Sequence, residues 1–189
     1  MDSFIVFFLS IFVLFIIISK IFIDHGIVQE RSDIDNLIYI VRKGPGSKEA
    51  ANKLALLNQK AMRLIQSLDD EKEGVPYMKN KYSPNNLSET TKNAEYTSYS
   101  VNKGEHISLC IRNNDGTFID ENTIIFVFIH ELSHVMTEEI GHPKIFWDNM
   151  KYLLEEGEKL GIYEPVDYKE EPKNYCGMEI NSTPYEFKK

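Results

Sequence analysis

The chain has 189 residues, 42% of them hydrophobic and 26% charged, with a formal net charge of −8. Its length allows one globular domain with an appendage, and its composition excludes a disordered or fibrous protein. The acidic balance disfavours nucleic acid as a partner, because sequence-independent binding needs many Lys and Arg contacts to phosphate.

The first element in chain order is apolar. Phe4 to Ser19 contain no charge, and Ile21-Phe22-Ile23 extend the run past Lys20. A span of about 20 apolar residues is enough to cross the hydrocarbon core, with Lys20 reaching the headgroups. Met1-Asp2-Ser3 supplies no basic n-region, and no small-residue cleavage pattern precedes Asp24-His25-Gly26, so the segment is expected to be an uncleaved anchor rather than a signal peptide. The expected organisation is a transmembrane anchor over residues 1–23, a juxtamembrane linker over 24–46 and a catalytic domain over 47–189. Basic residues follow the span (Lys20, Arg31, Arg42, Lys43) and none precedes it, which places the domain of this single-pass chain on the cytoplasmic side.

Within the linker, Ile34, Leu37, Ile38 and Val41 have the spacing of a short amphipathic helix. Gly44-Pro45-Gly46 ends it, and Ser47 opens a long helix whose apolar residues run from Leu54 to Leu68 and fade at Asp69–Glu73. Residues 74–93, rich in Pro, Asn, Lys and Ser, read as a mobile loop. Tyr96–Val101 and Ile107–Ile111 read as a hairpin around Asn102-Lys103-Gly104-Glu105. A helix capped by Asp120 or Asn122 is expected from near Thr123 to about Glu139, with Gly141 past its end, and another from about Pro143 to near Gly161, with Phe146, Trp147, Met150, Leu153 and Leu154 on its apolar face. The tail from Ile162 carries Pro165, Pro172, Gly177 and Pro184 and reads as an irregular wrap. Cys110 and Cys176, too few for a disulfide framework and too far apart for a thiolate metal site, are expected reduced and buried.

The chemistry lies in His130-Glu131-Leu132-Ser133-His134. On a helix, residues i and i+4 share a face, so both imidazoles can point at one ion. Glu131 stands about 100° round from His130, on the edge of that face, where a carboxylate can take a proton from water. The preceding turns, Ile124-Ile125-Phe126-Val127-Phe128-Ile129, are wholly apolar, so the helix is buried and its polar residues are costly without a partner. Catalytic zinc takes three protein ligands and leaves one position open. His142, returned by the Gly141 turn, is the expected third; Glu155 or Glu156 from the next helix is the alternative. His25 and His106 are isolated and read as non-ligands.

From Thr97 to Ile180 the chain resembles the minimal zincin metallopeptidases of the WLM and SprT-like group, on the strength of His130-Glu131-Leu132-Ser133-His134, Gly141-His142 and Phe146-Trp147. Val101–Arg112 and Tyr175-Cys176-Gly177-Met178 are similar to relatives of these domains in large DNA viruses. The resemblance implies an α+β, zincin-like domain: a long helix, a short antiparallel sheet or hairpin, the active-site helix, a following helix and an irregular tail, beside the N-terminal transmembrane helix. It also implies one Zn2+ held by His130, His134 and His142, Glu131 as general base, and a peptide or protein substrate. Ser108–Arg112 is the expected edge strand for substrate, Tyr175 the expected oxyanion donor, and Phe146-Trp147 the expected core support beneath His142. Two other readings stand beside this one: a non-catalytic, zinc-stabilised module tethered at a membrane, and a DNA-associated repair protease, as several members of the group act on proteins crosslinked to DNA.

Overall fold

A computed structural model describes residues 26–187. The expected anchor over residues 1–23 lies outside them. Among the described residues no helix is long and apolar enough to cross a membrane. The expectation of a single-pass membrane protein with a cytoplasmic domain is overturned on that finding.

The segment expected to be a linker with a short helix forms two strands instead. β1 (Ile27–Arg31) and β2 (Ile38–Arg42) pair antiparallel, with Val28 opposite Val41. The helical spacing of Ile34, Leu37, Ile38 and Val41 loses to turn chemistry. Asn36 adopts a φ of 63°, Arg31 Nη1 donates to its carbonyl at 2.7 Å, and Asp35 Oδ1 accepts from the Leu37 amide at 3.1 Å. Along β2 the burial alternates, with Tyr39 and Val41 inside and Ile38 and Ile40 outside, which is a strand's period of two.

α1 (Ser47–Ser67) matches the expected long helix. Its Ala50, Ala51, Leu54, Leu57, Ala61, Leu64 and Ile65 are buried, and it packs on β1, β2 and β3. The alanines let the helix approach the sheet closely. The segment 74–93, expected to be a mobile loop, is ordered structure: α2 (Val75–Lys81), a single 3₁₀ turn at Pro84–Asn86, and β3 (Leu87–Glu89). Gly74 begins α2 at a φ of 84°, and a Cβ there would overlap the carbonyl of Met136 at the end of the helix that carries His130 and His134.

β4 (Tyr99–Val101) and β5 (His106–Leu109) form the expected hairpin. The sheet is five-stranded and mixed, in the order β1-β2-β3-β5-β4, with β2–β3 and β3–β5 parallel. β5 is therefore an inner strand, and the edge expected at Ser108–Arg112 belongs to β4. α3 (Glu121–Met136) and α4 (Lys144–Lys159) pack against each other, and α3 also touches α2, β4 and β5. The tail is less irregular than expected. β6 (Lys173–Tyr175) and β7 (Met178–Ile180) pair antiparallel across Cys176 and Gly177, both at positive φ.

Cys176 is bonded to Cys110, with a Cα separation of 6.5 Å. The expectation of reduced cysteines is corrected: the tail folds back 66 residues along the chain to the end of β5, a pairing that spacing alone cannot reveal.

The sheet's far end is closed by charge. Glu89, 2% exposed, accepts from Arg42 Nε at 2.8 Å, the Arg42 amide at 2.7 Å, Arg112 Nε at 2.8 Å and Arg112 Nη2 at 2.6 Å. The remaining guanidinium donors meet carbonyls: Arg112 Nη2 that of Arg42, Arg112 Nη1 that of Pro45 and Arg42 Nη2 that of Arg112. Glu89→Ala would leave two buried guanidinium groups without their counter-ion. It is expected to lower the unfolding free energy by about 3–5 kcal/mol, read from urea unfolding of the oxidised protein.

Candidate metal centre

α3 starts where Asp120 accepts the Thr123 amide at 2.9 Å, and its first three turns are buried on nearly every side. The core fixes the helix, and the helix fixes His130, Glu131 and His134. The His130 and His134 rings stand 5.0 Å apart, centre to centre. After Thr137 the chain turns at Gly141, whose φ of 83° suits glycine, and presents His142 back to the helix. Nε2 of His142 lies 3.2 Å from Nε2 of His130.

This returning loop is tied at its start from two sides. Lys103, in the β4–β5 turn, donates to the carbonyls of Thr137 at 2.7 Å and Glu139 at 2.8 Å. From α4, Asn149 Nδ2 donates to Thr137 Oγ1 at 3.0 Å. Phe146 is fully buried beneath the three imidazoles, at 4.9 Å from His130, 4.4 Å from His134 and 4.6 Å from His142. Trp147 departs from its expected place in the core: it is 41% exposed and stacks on His142 at 5.5 Å.

One ligand atom from each of His130, His134 and His142 lies within 4.8 Å of the others. Two imidazole nitrogens bound to one tetrahedral zinc stand about 3.3 Å apart, so the set fits the ion with small ring rotations. Protonation favours the same use. Burial, with mutual repulsion added, pushes His130 down to about 3 and His134 down to about 4, which leaves both neutral with a lone pair free near pH 7. Glu155 and Glu156, the alternative third ligands, do not join the group, and Glu156 pairs with Lys159 at 2.6 Å. His106 sits in the sheet with its Nε2 at 2.9 Å from Ser88 Oγ, and His25 lies outside the described residues.

Glu131 is 4% exposed, and the backbone N–H of Ser100 in β4 faces its carboxylate. Burial raises its pKa to about 8 despite that nearby donor. The expected oxyanion donor, Tyr175, is fully buried with its hydroxyl 2.6 Å from Ser98 Oγ. Burial raises its phenol, and the nearby charge of Glu131 adds to the effect. Ser98, Ser100 and Lys103 were not expected at the site. Ser100 and the carbonyls held by Lys103 act through backbone, which no side-chain motif can reveal.

The sequence profile of the WLM domain family matches residues 44–186. Uncharacterized protein R325 of Acanthamoeba polyphaga mimivirus is 31% identical over 159 residues, covering 80% of this chain and 81% of its own. Uncharacterized protein 042R of Invertebrate iridescent virus 3 is 30% identical over 151 residues, covering 78% and 74%. Among solved structures, Wss1 from Saccharomyces cerevisiae shares the fold at a TM-score of 0.50 and 22% identity, covering 64% of this chain and 89% of that one.

The pKa shifts set opposing pH dependences in the metal-free protein. His130 and His134 take up protons near 6.5 when unfolded but only near 3 and 4 when folded, so stability falls as pH drops below about 6.5. Glu131 does the reverse: its folded value of about 8 exceeds the reference 4.5, so its contribution is complete below 4.5 and is lost as pH rises through about 8. Glu131→Gln should therefore flatten the loss of stability between about pH 6.5 and 8, read by denaturant titration in chelator.

Proposed function

Because the chain belongs to the WLM domain family, we propose that it is a zinc-dependent peptidase, with His130, His134 and His142 as the ligands of one zinc ion and Glu131 as general base. The observation that carries this reading is the convergence of three imidazoles beside one buried carboxylate. A bound zinc would lower the pKa of water and polarise the scissile carbonyl.

The chain's own residues do the rest. Glu131, buried beside β4, accepts a proton from the attacking water and returns it to the leaving amine. Phe146 excludes water from below the histidines and keeps their rings in place. β4 is paired with β5 on one side only, and it packs against the helix that carries Glu131. An extended peptide added to that edge would lie across the histidines by strand addition. The substrate is accordingly a peptide or protein, and the net charge of −8 argues against nucleic acid as a partner.

A purely structural zinc site would favour four protein ligands and would have no use for a buried carboxylate at the metal's edge. Among the described residues the group comprises three histidines. The deciding measurement is casein cleavage with metal analysis. Wild type should carry one zinc per chain and lose activity to a chelator, while Glu131→Gln should keep the zinc and lose about 10²–10⁴-fold in rate. Equal rates in the two proteins would overturn the catalytic reading.

A further inference from the structure

The disulfide is joined to β4, the strand packed on the Glu131 helix, by a short series of contacts. β4 has three residues and is paired on one side, so it is weakly held by its own ladder. It nonetheless packs against α3, with the Ser100 N–H facing the Glu131 carboxylate. Two residues earlier, Ser98 Oγ is gripped from two directions. The Tyr175 hydroxyl meets it at 2.6 Å, and the Cys110 amide donates to it at 3.2 Å. Tyr175 and Cys110 are the neighbour of one half-cystine and the other half-cystine itself, so the Cys110–Cys176 bond joins the two backbones that hold Ser98.

The rest of the hairpin cannot replace that bond. β6 and β7 form a separate two-stranded sheet, a unit that is marginal alone. Cys176 sits at a φ of 52°, a conformation that residues other than glycine leave unless held. The three histidines make none of these contacts themselves, and only Lys103, in the turn after β4, links them to that strand. They are placed by α3, by the loop tied to Lys103 and Asn149, and by Phe146.

We propose that Ser98 and Tyr175, locked by the Cys110–Cys176 disulfide, are positioning residues for Glu131 acting through β4, and that opening the disulfide lowers catalysis while leaving the metal bound. The proposal rests on the peptidase reading above. The opening step is thiol–disulfide exchange: a protein dithiol gives up two electrons and two protons and becomes a disulfide, and Cys110 and Cys176 become thiols.

The test uses the full chain, oxidised, reduced with a phosphine (dithiols would bind zinc), and as Cys110→Ser/Cys176→Ser, Ser98→Ala and Tyr175→Phe. Each change should lower kcat by about 10–100-fold, as loss of a supporting partner does, with zinc remaining at one per chain. In the metal-free protein, hydrogen exchange at the Ser100 amide should quicken on reduction and in Tyr175→Phe, a substitution that keeps the ring in the core. Reduction should change nothing further in the residual rate of Glu131→Gln. Cleavage by the oxidised wild type with unchanged kcat and Ser100 exchange on reduction would overturn the clamp alone. Loss of zinc together with activity would also overturn it, by showing a merely structural bond. An oxidised wild type with no Glu131-dependent cleavage would overturn the peptidase reading and the catalytic half of the clamp, with Ser100 exchange still reporting the contact.

Discussion

The carboxylate of Glu89 is the point from which the fold is organised. It receives four N–H donors from two arginines that belong to different parts of the chain: Arg42 at the end of β2 and Arg112 just past β5. The same arginines bond the carbonyls of Arg42, Pro45 and Arg112, and so bring in the turn that starts α1. A buried ion cluster is weak evidence for net stability, because desolvation consumes much of the Coulomb gain. Its effect here is on register. β3 has three residues and lies between two parallel neighbours, an arrangement that strand propensity cannot specify. A carboxylate that must meet two guanidinium groups permits one alignment, since a one-residue slip would turn Glu89 away from both.

That alignment carries through to the site. β3 sets β5, and β5 sets β4. β4 delivers Ser100 to Glu131, and the turn after it delivers Lys103 to the loop before His142. From the other side, α3 is held by the core, and α4 supplies Phe146 under the imidazoles. The burial that makes the helix rigid also strips protons from His130 and His134 and retains one on Glu131. Packing and protonation thus have one cause.

The elements that could be read from the sequence are those whose signal is local and long. α1, α3 and α4 follow sustained apolar periodicity, and the β4–β5 hairpin follows its turn composition. The three histidines were legible because i, i+4 spacing and a glycine turn are local geometry. What escaped depends on distant partners. Leu87-Ser88-Glu89 has no strand pattern of its own and becomes one between β2 and β5. Ile34 to Val41 has helical spacing by coincidence, and Asp35 and Asn36 override it. The disulfide, the identity of the edge strand and the outward Trp147 all follow from strand order and chain return, which one-dimensional spacing does not contain. The membrane reading rested on hydropathy in a single segment beyond the described residues, without any second element to support it.

One ammonium group has a reach beyond its size. Lys103 chelates two carbonyls of the loop that leads to His142, and so makes that loop and the β4–β5 turn one mechanical piece. The spacing of the imidazoles is then a property of the polypeptide, already present before an ion arrives. A cation taken up there would meet a preorganised cradle and have little chain entropy to remove. Its exchange would be a local event, decoupled from folding, in contrast to small zinc domains whose chains are ordered only by their ion.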